Sequence, residues 1–131
     1  MAERHLIDTS SVIKYLNGSF SNNSLDALDK IIDQESQISF ITEIELQVWN
    51  PANPEDASVY REFIVSSNVI GINSDIISET IRIRKQYRIK LPDALIAATA
   101  IVNNLILVAD NDKDYKKVLG LKYLNPAKIS N

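Results

Sequence analysis

Residues 91–110 read LPDALIAATAIVNNLILVAD, and this stretch decides the fold. Pro92 and Asp93 are typical of a helix start, and the Ala-rich run after them predicts a helix from residue 94 to about residue 103. This helix is apolar enough to be buried. The continuous apolar run at residues 105–108 is typical of a central strand in a parallel sheet.

Short apolar runs alternate with helical periodicity along the rest of the chain. They predict strands at residues 6–7, 38–41 and 69–72 and near residues 121–124. Helices are predicted at residues 9–16 and 42–49, around residues 25–32, and from residues 54, 74 and about 113. Because strands alternate with helices, we expect an α/β fold with right-handed crossovers and a central parallel sheet flanked by helices on both faces.

The composition is that of one ordinary globular domain, residues 1–131, and it limits the chemistry. The chain has no Cys and one His, which excludes disulfides, thiolate metal sites and multi-histidine zinc centres. Any bound metal would therefore have oxygen ligands, as Mg²⁺ and Mn²⁺ prefer. No apolar segment reaches the roughly 20 residues that span a membrane, and the N-terminus has no signal-peptide pattern. We therefore expect a cytoplasmic protein with no membrane partner.

The charge is unevenly distributed along the chain. Residues 1–81 carry 4 basic and 13 acidic residues, whereas residues 82–131 carry 10 basic and 4 acidic residues. The net charge of −3 argues against non-specific DNA binding. The densest basic cluster contains Arg82, Arg84, Lys85, Arg88 and Lys90. A solvated helix face is the favoured interpretation of this cluster, and contact with RNA phosphates is the alternative.

Acidic residues follow three of the predicted strands, and Asp93 begins the buried helix. The strand-following acids are Asp8, Glu43, Glu45, Asp110, Asp112 and Asp114. Ligands of parallel sheets bind outside the carboxyl ends of the strands, so we expect these acids to gather at one edge. Converging carboxylates repel one another unless a cation bridges them. Such a site would suit Mg²⁺ or Mn²⁺ and the hydrolysis of phosphodiesters.

Each acid also has a structural interpretation. Asp8 and Asp93 could stabilise helix starts, and Thr42-Glu43-Ile44-Glu45 matches a capping box. From spacing alone, the capping and metal interpretations of Glu45 are evenly balanced. The aspartates at 110, 112 and 114 could form a solvated turn. Taken together, however, acids after three strands and before a buried helix favour a metal site.

Four segments resemble the PIN domain family, and specifically its small VapC-like toxin ribonucleases. They are LIDTSSVI at residues 6–13, ISFITEIEL at 38–46, LPDALIAATA at 91–100 and LVADNDKDY at 107–115. The third segment is the most specific, and the resemblance covers essentially the whole chain. It implies a PIN-like three-layer sandwich and a divalent-metal-dependent endoribonuclease that hydrolyses RNA with metal-activated water.

The resemblance also implies roles and partners. The catalytic acids would be Asp8, Glu45, Asp93 and Asp114, with Asp8, Asp93 and Asp114 as metal ligands and Asp112 as the substitute for Asp114. Glu45 would be a further ligand or would orient a metal-bound water. The implied biology is the toxin of a toxin–antitoxin pair, with an RNA substrate, a cognate antitoxin and a homodimer.

Two other classes of protein remain open. One is a catalytically weak PIN-like module that binds RNA or protein without cutting it. The other is a receiver-like or phosphatase-like α/β domain that uses an aspartyl nucleophile. The common phosphatase pattern has a second Asp two residues after the first, and here Ser10 occupies that position.

Overall fold

The computed structural model describes residues 3–48 and 53–129, and every strand pair in them is parallel. Strand β4 (Ile106–Val108) pairs with β1 (His5–Ile7) on one side and with β5 (Lys122–Leu124) on the other. Strand β2 (Gln37–Ser39) pairs with β3 (Asn68–Ile70). The two sheets are neighbours because β1 contacts β2. The side-chain amide of Gln37 connects them by donating to the His5 carbonyl oxygen at 3.3 Å.

The helices alternate with these strands, as predicted. In chain order they are α1 (Thr9–Leu16), α2 (Asn22–Gln34), α3 (Phe40–Val48), α4 (Pro54–Ser66), α5 (Ser74–Gln86), α6 (Leu91–Val102) and α7 (Asp112–Tyr115), and a 3₁₀ turn at Pro126–Lys128 follows β5. No helix in the described part of the chain is long and apolar enough to cross a membrane.

Successive side chains of the central strands point to opposite faces of the sheet. Leu6 and Leu107 pack into an apolar core formed with α5 and α6. Their neighbours Ile7 and Val108 pack into a second core on the other side, formed with α1 to α4. This alternation explains why β1 and β4 are apolar at both positions. The predicted three-layer α/β sandwich is confirmed.

Helix α6 is the buried helix that the Ala-rich run predicts. Ala94, Ala97, Ala98 and Ala100 are fully buried, and their small side chains allow α6 to pack closely against the sheet and α5. The helix begins at Leu91, three residues earlier than predicted, because Pro92 fits the first turn of a helix without losing a hydrogen bond.

Two predicted strand boundaries are wrong. The second strand ends at Ser39 instead of residue 41, and α3 begins at Phe40. The cause is Ser39 Oγ, which accepts a hydrogen bond from Thr42 N at 3.2 Å and so satisfies an amide of the first turn. The third strand ends at Ile70 instead of residue 72, because Ile70 pairs with Ser39 and β2 continues no further. Trp49, the predicted end of α3, lies outside the described residues.

Candidate active site

Asp8 comes directly after β1 and is almost completely buried, with 8% of its surface exposed. It is the N-cap of α1, and its Oδ1 accepts a hydrogen bond from Ser11 N at 2.9 Å. Ser10 Oγ lies 3.3 Å from Oδ2. Burial raises the pKa of the Asp8 carboxyl to about 6, and the negative charge of Asp93 adds to the increase. The hydrogen bond to Ser11 N confirms the capping interpretation of Asp8. The cap alone does not explain why an ionisable carboxyl is buried at this position.

Glu45 lies on α3 and is connected to α1 by a hydrogen bond. Thr9 Oγ1 donates to Glu45 Oε1 at 2.6 Å, and Thr42 Oγ1 lies 3.0 Å from the same Thr9 oxygen. The capping-box interpretation of Glu45 is wrong, because α3 begins at Phe40 and Ser39 serves its first turn. Glu45 is therefore free of the helix start, and its carboxylate is oriented by Thr9.

Asp93 is the third residue of α6 and is partly buried. Burial raises the pKa of its carboxyl, and the negative charges of Asp114 and Glu45 raise it further. The buried hydroxyl of Tyr115 lies 3.5 Å from the backbone oxygen of Asp93 and so connects α6 to α7. Asp93 is thus close enough to two other acids to interact with their charges.

The three aspartates after β4 have different surroundings. Asp110 Oδ2 pairs with Lys14 Nζ at 3.0 Å, and Asp110 Oδ1 accepts from Asn125 Nδ2 at 2.8 Å; these contacts hold the pKa of Asp110 below its usual value. Asp112 accepts hydrogen bonds from Lys128, Asn125 and Tyr123, which hold its pKa well below its usual range. Asp114 Oδ2 accepts only from Asn111 Nδ2, at 3.1 Å, among the described residues.

The acids Asp8, Glu45, Asp93 and Asp110 line one open cleft with a volume of about 320 Å³. Its lining is completed by Thr9, Ser10, Ile13, Ile96 and Asn111.

Asp114 lies beside the cleft, bonded to Asn111 and interacting with Asp93. Asp112 is not part of the lining and is bound to the C-terminal residues instead. Glu43 is also absent from the lining, although Glu45 is only two residues away.

The donor set of the cleft fits a hard divalent cation. All of its charged donors are carboxylate oxygens, and burial and like charge disfavour the ionised forms of Asp8 and Asp93. Within residues 3–48 and 53–129, no three acidic or histidine side chains are gathered tightly enough to enclose a metal ion by themselves. This is compatible with Mg²⁺, which typically takes one or two carboxylates and completes its shell with water and substrate phosphate oxygens.

Comparison with known proteins agrees with this geometry. Residues 5–121 match the PIN domain family. The chain belongs to that family. The match confirms the resemblance that four segments of this PIN domain show in the sequence. A comparison with curated proteins gave no match.

Solved structures of the same fold cover nearly the whole PIN domain. A chain of a toxin–antitoxin complex from Klebsiella pneumoniae is 27% identical, with a TM-score of 0.75 over 95% of this chain and 99% of that chain. A chain of VapBC2 from Rickettsia felis, bound to a DNA fragment from its promoter, is 23% identical, with a TM-score of 0.77 over 92% and 97%. A chain of VapBC-1 from nontypeable Haemophilus influenzae is 21% identical, with a TM-score of 0.78 over 95% and 98%. The last two similarities show the fold alone.

The predicted basic cluster lies on the second half of α5 and the residues that follow it. Arg82 is occupied by Glu79 and by the Leu119 carbonyl oxygen, and Arg84 donates to the Ile89 carbonyl oxygen at 2.7 Å. Lys85, Arg88 and Lys90 are exposed. Burial raises the pKa of the Asp93 carboxyl, and the positive charge of Lys90 opposes part of that increase, so Lys90 is close enough to interact with a cleft acid.

Sequence reasoning misses the polar residues that orient the acids. It assigns no role in the site to Thr9, Lys14, Asn111 or Asn125, and it considers Ser10 only as a departure from the phosphatase pattern. Thr9 carries one readable signal, because it directly follows a candidate ligand and has a hydroxyl that can bond to a second carboxylate. Asn125 carries no such signal, because its two carboxylate partners lie 13 and 15 residues before it.

Proposed function

We propose that this PIN domain is a divalent-metal-dependent endoribonuclease that hydrolyses RNA phosphodiester bonds. The observation that carries the proposal is the cleft itself. Asp8, Glu45 and Asp93 come from the end of β1, from α3 and from α6, yet all three line it. Burial raises the pKa values of Asp8 and Asp93, which is a cost that a bound cation would offset.

The side chains divide the work as follows. Asp8 and Asp93 would hold Mg²⁺ or Mn²⁺, and Asp114 would complete the acidic set. When bound, the cation supplies Lewis-acid polarisation of a phosphoryl oxygen and neutralises developing negative charge. Glu45 orients the attacking water and accepts its proton. Thr9 occupies Oε1 of Glu45 and so leaves Oε2 for this task.

We further propose that the protein is the toxin of a toxin–antitoxin pair in the cytoplasm. The similar chain at 27% identity comes from a toxin–antitoxin complex, and this similarity extends over almost the full length of both chains. A cognate antitoxin is the expected inhibitory partner, and a homodimer is the expected assembly.

The test is RNA cleavage by purified protein with Mg²⁺ or Mn²⁺, in wild type, Asp8→Asn and Asp26→Asn. Asn preserves the cap of α1, because Asn and Asp are comparable N-cap residues. Asp26 lies exposed on α2, away from the cleft lining, so its variant controls for the chemical change and for copurifying nucleases. We expect cleavage by wild type and Asp26→Asn only.

Two outcomes would contradict the proposal. Equal cleavage by all three proteins would show that a contaminant is responsible. RNA or Mn²⁺ binding by wild type without any cleavage would identify a catalytically weak PIN-like module instead.

A further inference from the structure

Asn125, which follows β5, is buried between two aspartates of the acidic loop, the name used here for residues 110–115, which include the short helix α7. Its Nδ2 donates to Asp110 Oδ1 at 2.8 Å and to Asp112 Oδ1 at 2.9 Å, and its Oδ1 accepts from Ala127 N at 2.9 Å. A primary amide has two donor hydrogens, so both are used on carboxylates that would otherwise repel each other. Asn125 thus fixes the separation of Asp110 and Asp112.

The other oxygens of these two carboxylates are occupied as well. Lys14 Nζ lies 3.0 Å from Asp110 Oδ2, and Lys128 binds Asp112 Oδ2. The Tyr123 hydroxyl donates to Asp112 Oδ1 at 2.8 Å and accepts from the backbone amide of the loop residue Asn111 at 2.9 Å. Both aspartates are therefore committed to protein contacts.

Asp114 is the exception among the three loop acids. Its Oδ2 accepts from Asn111 Nδ2 at 3.1 Å, and no group of the described residues donates to its Oδ1. Its charge acts on Asp93 across the space between α7 and α6. Asp114 is therefore the loop acid that has a carboxylate oxygen without a donor among the described residues and whose charge acts on a cleft acid.

The segment that carries Asn125 is itself fixed on two sides. Strand β5 pairs with β4, and the Leu124 carbonyl oxygen accepts from Ala109 N at 3.1 Å, directly before the acidic loop. On the other side, the buried Ser24 of α2 donates its hydroxyl to the Pro126 carbonyl oxygen. The PIN family match ends at residue 121, so this segment lies outside the matched range.

We propose that Asn125 is a positioning residue of the active site. Together with Tyr123 and Lys128, a set called here the C-terminal clamp, it commits Asp110 and Asp112 to structural contacts and thereby presents Asp114 as the metal-facing acid of the loop. The consequence for metal binding rests on the proposed function. The fixing of residues 110–115 by the clamp does not depend on the proposed function.

The decisive variant is Asn125→Asp. It preserves the acceptor for Ala127 N but replaces the donor amide with a third carboxylate next to Asp110 and Asp112. We expect faster hydrogen–deuterium exchange of the amides at residues 110–115 and Mn²⁺ binding that is about tenfold weaker, since loss of an outer-shell contact typically costs about 10–100-fold in metal affinity. Calorimetric titration with Mn²⁺ measures the second effect without any RNA.

Asn73→Asp is the matched control. Asn73 is the exposed N-cap of α5, and its Oδ1 accepts from Ile76 N at 2.9 Å, which Asp can do equally well. This variant makes the same chemical change away from the loop, and we expect wild-type exchange at residues 110–115 and wild-type Mn²⁺ affinity.

A rescue variant separates positioning from general stability. In Asp112→Asn/Asn125→Asp, the donor amide and the carboxylate exchange places and the net charge returns to that of wild type. We expect part of the loop protection and Mn²⁺ affinity to return, because the contact between residues 112 and 125 is restored while Asp110 still lacks its amide donor. Tyr123→Phe removes only the hydroxyl that bonds to Asp112 and Asn111, so it provides a milder second variant if Asn125→Asp does not fold.

Unchanged exchange at residues 110–115 in Asn125→Asp, or in Tyr123→Phe if the former does not fold, would overturn the clamp. Faster exchange with unchanged Mn²⁺ affinity would overturn its role in presenting Asp114. A wild-type protein that binds no Mn²⁺ would refute the proposed metal-dependent function and this metal-facing role together, and the exchange data would still decide whether the clamp fixes the loop.

Discussion

Thr9 Oγ1 donates a 2.6 Å hydrogen bond to Glu45 Oε1, so the residue after one cleft acid orients the carboxylate of another. Thr9 begins α1, immediately after Asp8, whereas Glu45 lies on α3. A hydroxyl can hold a carboxylate without neutralising its charge, which a Lys or Arg in the same place would do. Thr9 therefore fixes the position of the Glu45 carboxylate, as the proposed chemistry requires.

Replacing Thr9 with Val should reduce RNA cleavage by about tenfold or more, because a hydrogen bond to a charged group contributes about 1.5–3 kcal/mol. Val preserves the shape of Thr but cannot donate to Glu45. Thr9→Ser keeps the hydroxyl and should retain most of the activity. Initial rates at saturating Mn²⁺ measure the effect, and thermal melts of both variants establish that they are folded. Wild-type rates in Thr9→Val would show that Glu45 needs no such orientation.

Glu45→Gln should abolish cleavage, whereas Glu43→Gln should leave it within about twofold of wild type. Residues two positions apart on a helix are separated by about 200° around its axis, so the side chains of Glu43 and Glu45 cannot both face the same cleft. Only Glu45 lines it and bonds to Thr9. Loss of a general base typically costs about 10²–10⁴-fold in rate. The amide oxygen that Glu45→Gln introduces can still accept the Thr9 hydrogen bond, so the substitution removes the charge and leaves the contact.

The opposite ranking of these two variants would place the base at residue 43 and would contradict the structure of α3. Equal cleavage by Glu45→Gln and wild type would mean that Glu45 acts only in packing against α1.

The layers of the fold were predictable because buried strands and helices have characteristic runs of apolar residues in the sequence. Apolar side chains at both Leu107 and Val108 require a core on each face of β4, and both cores exist. The Ala run of α6 is explained by its burial against the sheet and α5. The strands then bring the acids together, since β1 and β4 pair with Ile7 opposite Val108 and so end at the same edge.

The contacts that orient the acids were not predictable, because they join residues that are distant in sequence. The capping box at Thr42 shows the limit of local spacing. Ser39 and Thr42 both have hydroxyls that suit a helix start, and only the position at which β2 ends decides between them. The bonds from Asn125 to Asp110 and Asp112 likewise depend on the pairing of β5 with β4. No sequence periodicity reports such pairs.

As the pH rises from about 4 to about 7, the stability of the metal-free wild type should fall relative to that of Asp8→Asn. Burial raises the folded-state pKa of Asp8 to about 6, above its ordinary value of 3.8. The folded state therefore binds the proton more tightly, and the resulting stability is fully present below about pH 4 and is lost as the pH rises through about 6. The pKa of Asp93 shifts in the same direction, and that residue remains in the variant.

Urea unfolding in EDTA at several pH values measures this effect. Across this pH range, the free energy of unfolding of the wild type should fall by up to about 3 kcal/mol more than that of Asp8→Asn, since one pKa unit corresponds to about 1.4 kcal/mol. Parallel pH curves for the two proteins would show that Asp8 is not perturbed by burial in the folded state.

Among the loop acids, Asp114→Asn should reduce cleavage more than Asp112→Asn or Asp110→Asn. Asp114 has a free carboxylate oxygen and interacts with Asp93, whereas Asp110 and Asp112 are held by Lys14, Asn125 and Lys128. Asp112→Asn removes the ion pair with Lys128 and should lower the melting temperature while leaving cleavage at saturating metal nearly unchanged.

The measurement is a titration of Mn²⁺ against cleavage rate for the three variants, extended well above the concentration that saturates the wild type. Loss of an outlying ligand should shift the Mn²⁺ requirement of Asp114→Asn upward more than it lowers the maximal rate, because the remaining acids still hold the ion at high concentration. Asp110 lies nearest the end of β4 and lines the cleft, so it is the strongest competitor. If Asp110→Asn proves the most damaging of the three, the acid at the strand end is the functional one, and its pairing with Lys14 must open when the metal binds.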